Sequence, residues 1–119
     1  MGELATTFGP GGGRLLDEVT VVVFSEMGRA PRLNATGGKD HWTTTSALLL
    51  GAGVRGDQAI GGYDEALLGL PVDPRSGEVS DGGLRLSAGN LGATLVAMAG
   101  LDPDELADGH TPIRAAISD

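Results

Sequence analysis

The side chains best suited to chemistry lie between residues 25 and 42: Ser25, Glu26, Arg29, Lys39, Asp40, His41 and Trp42. Glu26, Asp40 and His41 offer two carboxylates and an imidazole, which suit a hard or borderline divalent cation. Arg29 and Lys39 supply the positive charge that holds an oxyanion. The plainer alternative pairs Glu26 with Arg29 and leaves His41 as a loop histidine stacked on Trp42. An Asp-His dipeptide is a weak motif, so spacing alone favours that plainer alternative. Ser25 is the one serine at the end of a predicted sheet strand, and nothing in the sequence says what would deprotonate it. His110 sits in an acidic, proline-flanked tail and reads as a solvated histidine.

These residues need elements to position them. The run Val19-Thr20-Val21-Val22-Val23-Phe24 is apolar and β-branched without alternation. It predicts a strand over 19–24 buried on both faces, as at the centre of a parallel sheet. Ala47–Leu50 predicts a neighbouring strand. In open α/β sheets ligands bind beyond the carboxyl ends of strands. Ser25 and Glu26 follow the first strand, and the aperiodic stretch from 29 to 45 brings Asp40 and His41 back to the sheet. Ser87 as N-cap, Leu91, Leu95 and Met98 at helical spacing, and Gly100 just past the end predict an amphipathic helix over 88–99, packed on the sheet. Residues 57–86 read as turns and a hairpin, and 104–119 as a loosely structured tail. The expected whole is a single α/β domain over 1–119.

Two glycine motifs are discounted. Gly51-Ala52-Gly53-Val54-Arg55-Gly56 has the dinucleotide-binding spacing, but Gly61-Gly62 follows and no helical period opens there. Without a helix N-terminus the pyrophosphate has no seat. Gly37-Gly38-Lys39 lacks both the first glycine and the Ser or Thr of a phosphate loop. Asn34-Ala35-Thr36 is formally a glycosylation sequon and carries no weight without a secretory signal.

Composition narrows the classes. The net charge is -8, from 16 acidic and 8 basic residues. Such a balance, without a basic cluster, argues against nucleic acid and against anionic membranes. Cysteine is absent, which excludes disulfides and thiolate metal sites. No apolar stretch is long enough to span a membrane, and the N-terminal residues do not read as a signal peptide. The 21 glycines have no three-residue period and predict many tight turns.

Four ordered blocks carry a resemblance: Val19–Arg29 (VTVVVFSEMGR), Gly37–Trp42 (GGKDHW), Ser46–Gly56 (SALLLGAGVRG) and Asn90–Leu101 (NLGATLVAMAGL). Together they resemble the C-terminal part of an exported, sulfatase-like bacterial family, domain of unknown function 1501, within the alkaline phosphatase/sulfatase superfamily. The resemblance implies a partial three-layer α/β/α sandwich, alkaline-phosphatase-like, with a mostly parallel sheet. It implies metal-dependent hydrolysis of phosphate or sulfate esters. Glu26 and His41 would hold a divalent metal (Zn, Mn, Mg or Ca), with Asp40 as a further ligand or as an acceptor for the imidazole. Arg29 and Lys39 would attract the anion, and Ser25 and Trp42 would shape its pocket. Met27 stands where the superfamily has a histidine ligand, and a thioether is too soft to replace it for a hard metal. The superfamily's nucleophile belongs to an N-terminal half. The chain is therefore expected to be a fragment, inactive alone, that associates with that half or with itself. The alternative is a non-catalytic binding or structural module.

Overall fold

The computed structural model describes residues 2–118. Two short helices, α1 (Gly2–Thr6) and α2 (Leu15–Glu18), precede strand β1 (Thr20–Phe24). Strands β2 (Gly28–Arg29), β3 (His41–Trp42) and β4 (Ala47–Gly51) follow. Helix α3 (Ala88–Met98), helix α4 (Pro103–Leu106) and a 3-10 turn at Arg114–Ala116 complete the chain. Among the described residues there are two sheets of two strands each, β1 with β4 and β2 with β3.

Both sheets are antiparallel, which corrects the expectation of a parallel three-layer α/β/α sandwich. The register of the larger sheet runs from Thr20 opposite Gly51 to Phe24 opposite Ala47. The cause lies in the connection. A parallel neighbour needs a crossover, usually a helix, that carries the chain back to the starting end. The connection from 25 to 46 contains only the β2–β3 hairpin, so the chain turns round and re-enters beside β1 in the opposite direction. An apolar β-branched run specifies a strand and leaves its partner's direction open.

The expected burial of β1 on both faces is corrected as well. Val23 is 57% and Phe24 63% exposed, and Leu48, opposite Val23, is 56% exposed. By alternation Val21, Val23, Leu48 and Leu50 share one face of the sheet, while Thr20 and Val22 share the other. Thr20 and Val22 line a cleft of about 460 Å³ whose far wall is Leu95, Met98 and Ala99 of the α3 region. The helix therefore faces the sheet across an open cleft instead of packing directly on it.

Helix α3 itself forms as its sequence predicts, with Ser87 at the N-cap. The Asn90 side-chain oxygen accepts from the Ser87 backbone N–H at 2.9 Å, and its amide donates to the Thr111 carbonyl at 2.9 Å. Gly100 takes φ +74, the left-handed turn that ends the helix at low cost for glycine. The buried stripe is Asn90, Ala93 and Thr94. The Thr94 hydroxyl donates to the Asn90 carbonyl (2.6 Å) and accepts from the Ile113 N–H (2.8 Å). Residues 113–116, within the stretch expected to be a loose tail, supply an apolar cluster: Ile113, Ala115 and Ala116, with Ile60, Leu86 and Met98 packed against it.

The shape is open. The radius of gyration is 16.4 Å, against about 13.5 Å for a compact chain of this length. The accessible surface is 8039 Å², against roughly 6000 Å² for a compact monomer of this mass. Two measurements follow. Thr94→Val removes the acceptor for the buried Ile113 N–H and should lower unfolding free energy by about 1–3 kcal/mol in denaturant titration. Sedimentation should find the parent chain self-associated, because the Val23–Leu48 face is apolar and both sheet edges are unpaired among the described residues. Leu48→Lys should shift it toward monomer with little change in melting temperature.

Candidate functional site

Five of the residues singled out for chemistry, Arg29, Lys39, Asp40, His41 and Trp42, lie in or beside the β2–β3 hairpin. Gly28 lies opposite Trp42, and Arg29 opposite His41. The Ala30 N–H donates to the Asp40 carbonyl at 2.9 Å, which extends the ladder by one residue. In an antiparallel ladder the pair next to a hydrogen-bonded pair is a non-hydrogen-bonded one, where side chains approach most closely. Arg29 and His41 therefore form a close cross-strand pair on one face. Arg29 reaches over the hairpin and donates from a terminal guanidinium nitrogen to the Lys39 carbonyl at 3.3 Å. Arg29 is exposed. Lys39 lies just outside the strand, and its carbonyl is the group that Arg29 holds.

Asp40 belongs to the opposite face. Its side-chain Oδ1 accepts from the Asn34 amide at 2.8 Å. Asn34 also closes the tip of the hairpin. Its Oδ1 accepts from the Thr36 N–H (3.1 Å), the Thr36 hydroxyl (2.8 Å) and the Gly38 N–H (2.9 Å). Its backbone N–H donates to the Gly38 carbonyl at 2.8 Å. Asn34 is half-buried in a loop whose neighbours are exposed.

The strand that carries His41 is held from outside the hairpin. Trp42 turns its indole N–H to the Leu67 carbonyl at 3.0 Å. The Thr44 hydroxyl accepts from the Gly69 N–H at 3.2 Å, and Ser46 and Tyr63 join hydroxyl to hydroxyl. The clasping turn is itself ordered by Asp64, whose Oδ1 accepts from the Ala66 and Leu68 N–H groups, both at 2.9 Å.

Ser25 and Glu26 stand apart from this arrangement. The Ser25 hydroxyl lies 3.0 Å from the Met27 carbonyl and 3.4 Å from the Glu26 carboxylate. With one proton to give, it serves the shorter contact. Glu26 and Arg29 have different partners, so the geometry gives no support to the ion pair considered from sequence. Among the described residues no three His, Cys, Asp or Glu side chains come together as a metal centre would need. Asp40 and His41 are sequence neighbours on opposite faces, and one Asp40 oxygen is already engaged by Asn34. These donors do not by themselves fit a resident metal.

The structure thus pairs Arg29 with His41 and bonds Arg29 to the Lys39 carbonyl. It gives Asp40 to Asn34, Trp42 to Leu67 and Ser25 to Met27. Asn34, Thr44, Tyr63 and Asp64 were not marked from sequence. Asn34 and Asp64 had a legible signal, since Asn and Asp side chains accept from backbone N–H groups two residues on and so start turns.

A second constraint is steric. Gly28 is buried, and a Cβ added there would overlap the Thr44 carbonyl. Only a residue without a side chain lets the two segments meet. Gly28→Ala should therefore cost roughly 1–3 kcal/mol of stability in denaturant titration. It should also disperse the amide resonances of Arg29 and His41.

Comparison with known families places the geometry in context. Residues 11–117 match the family described as protein of unknown function (DUF1501), and the chain belongs to that family. No curated protein and no solved structure matches it.

Proposed function

We propose, from membership of this family and from the hairpin geometry, that the chain contributes the anion-binding element of a sulfatase-like hydrolase acting on phosphate or sulfate esters. The observation that carries the reading is the close cross-strand pair of Arg29 and His41, with Arg29 bonded to the Lys39 carbonyl. A guanidinium presents a planar fork of donors that matches two oxygens of a tetrahedral oxyanion. One of its nitrogens is steadied by the Lys39 carbonyl, which lowers the freedom lost when the anion arrives. Lys39 adds a mobile point charge. Trp42, held by the Leu67 carbonyl, would shape the edge of the pocket, and Ser25 would border it from the end of β1.

A divalent ion such as zinc, manganese, magnesium or calcium would supply Lewis-acid polarisation of the ester in a hydrolase of this kind. Glu26 and His41 are the donors this chain would offer it, with Asp40 limited to its second oxygen. The set is too small to retain an ion alone, and the anion contact described here does not pass through one. Ser25 is not poised as a nucleophile, because its proton goes to a backbone carbonyl. The isolated chain should bind the anion and turn no ester over. The remaining groups would come from another polypeptide segment or a second copy.

A second reading, a non-catalytic binding module, is favoured by one observation: the exposed apolar face around Val23 and Leu48. Titration of the full chain with inorganic phosphate at low salt, followed by NMR, separates the two. The enzyme-part reading expects the Arg29 and His41 resonances to move together and saturate. Arg29→Ala should then weaken binding roughly tenfold, the loss of a charge-assisted bond pair. Added salt should weaken it further, since the site is exposed. Resonances that stay fixed, or that move equally in Arg29→Ala, would leave the binding-module reading.

A further inference from the structure

We infer that Asn34 is a positioning residue for the Arg29–His41 pair, acting through its bond to Asp40. The inference rests on the anion-binding reading for its functional consequence and on hydrogen-bond geometry for its structural one.

Two strands of two residues each cannot hold a register by ladder bonds alone, because so short a ladder is marginal in water. The register must be imposed at the ends. At the open end the Gly28–Thr44 approach and the Trp42–Leu67 bond do this. At the tip the constraint is Asn34. Its oxygen gathers Thr36 and Gly38, which closes the loop between residues 34 and 38. Its amide then reaches Asp40, the residue whose carbonyl receives the last ladder bond from Ala30. One side chain thereby ties the loop to the strand residue beside His41.

The polarity of this network is fixed. Asn34 Oδ1 accepts from two backbone N–H groups and a hydroxyl, so the amide nitrogen is the atom that faces Asp40. Asp40 must therefore present an acceptor to it. A slip of one residue at the tip would move His41 to the other face, away from Arg29, because strand side chains alternate. Asp40 in this account is an anchor, and its carboxylate matters for the bond it accepts.

The polarity also supplies the test. Asn34→Ala removes both the loop closure and the link to Asp40. Asn34→Asp keeps the acceptor for Thr36 and Gly38 but sets a carboxylate against Asp40. Combining Asn34→Asp with Asp40→Asn reverses the donor and acceptor, keeps the loop closure and leaves the net charge unchanged. Two readouts on the full chain are needed. The first is the cross-strand Hα–Hα NOE between Arg29 and His41, measured without ligand. The second is affinity for inorganic phosphate.

The expected result is loss of the NOE and roughly five- to tenfold weaker phosphate binding in each single variant. Both should return in the reversed double variant, while circular dichroism stays that of the parent throughout. An unchanged NOE in Asn34→Ala overturns the inference. So does a double variant that stays as impaired as the single ones, since Asp40 would then be needed for its own carboxylate. A parent that binds no phosphate ends the functional reading, and the NOE series alone then decides whether Asn34 sets the register.

Discussion

The backbone of Gly28 lies so close to the Thr44 carbonyl that no side chain fits between them, and the arrangement of the candidate site follows from that contact. It brings the segment after β1 flush against the segment before β4. With Gly28 opposite Trp42, Arg29 falls opposite His41 and Ala30 opposite Asp40. Alternation then sorts the side chains. Arg29 and His41 take one face, while Trp42 and Asp40 take the other, where each finds a structural partner. The segregation of basic groups from the Asp40 carboxylate, two residues from Gly28's own ladder partner, is a consequence of register and not of any long-range charge pattern.

The same hairpin decides the fold around it. Because it reverses the chain without a helix, β1 and β4 run antiparallel and form a sheet of two strands. A sheet this narrow cannot cover its own apolar residues. The excess of accessible surface over a compact monomer, about 2000 Å², is on the scale of a protein–protein interface. The described core is correspondingly small and lies elsewhere, where Thr94 of α3 and the segment around Ile113 exchange a buried hydrogen bond. The chain thus divides its work. One end packs a helix against the C-terminal segment, and the other displays a hairpin and an uncovered sheet.

Sequence reasoning reached the elements better than their assembly. The β-branched run marked β1, and Ser87, the apolar spacing and Gly100 marked α3 to within a residue at its C-terminal end. Those signals are local, and local signals survive tertiary context. Strand direction was not legible because it depends on the connection from 25 to 46, which has no period to read. The small residues Ala115 and Ala116 enter the core from a segment that looks polar, so their burial had no pattern to announce it. At the site, the residue types around Arg29 and His41 were visible, but their pairing needed the register. Asn34 was visible only as a sequon, although the glycines after it fit a side-chain-closed turn. The Trp42–Leu67 bond ends on a backbone carbonyl, which any residue could supply, and so left no trace in the sequence.

The central claim is that the hairpin face bearing Arg29 and His41 is where a tetrahedral oxyanion sits. Tungstate is a heavy analogue of phosphate and sulfate whose position in a crystal of the full chain is given directly by its anomalous scattering. The account predicts an anomalous peak between the Arg29 guanidinium and the His41 imidazole, absent from crystals of Arg29→Ala. Tungstate bound at the other arginines, with no peak at the hairpin, would contradict it.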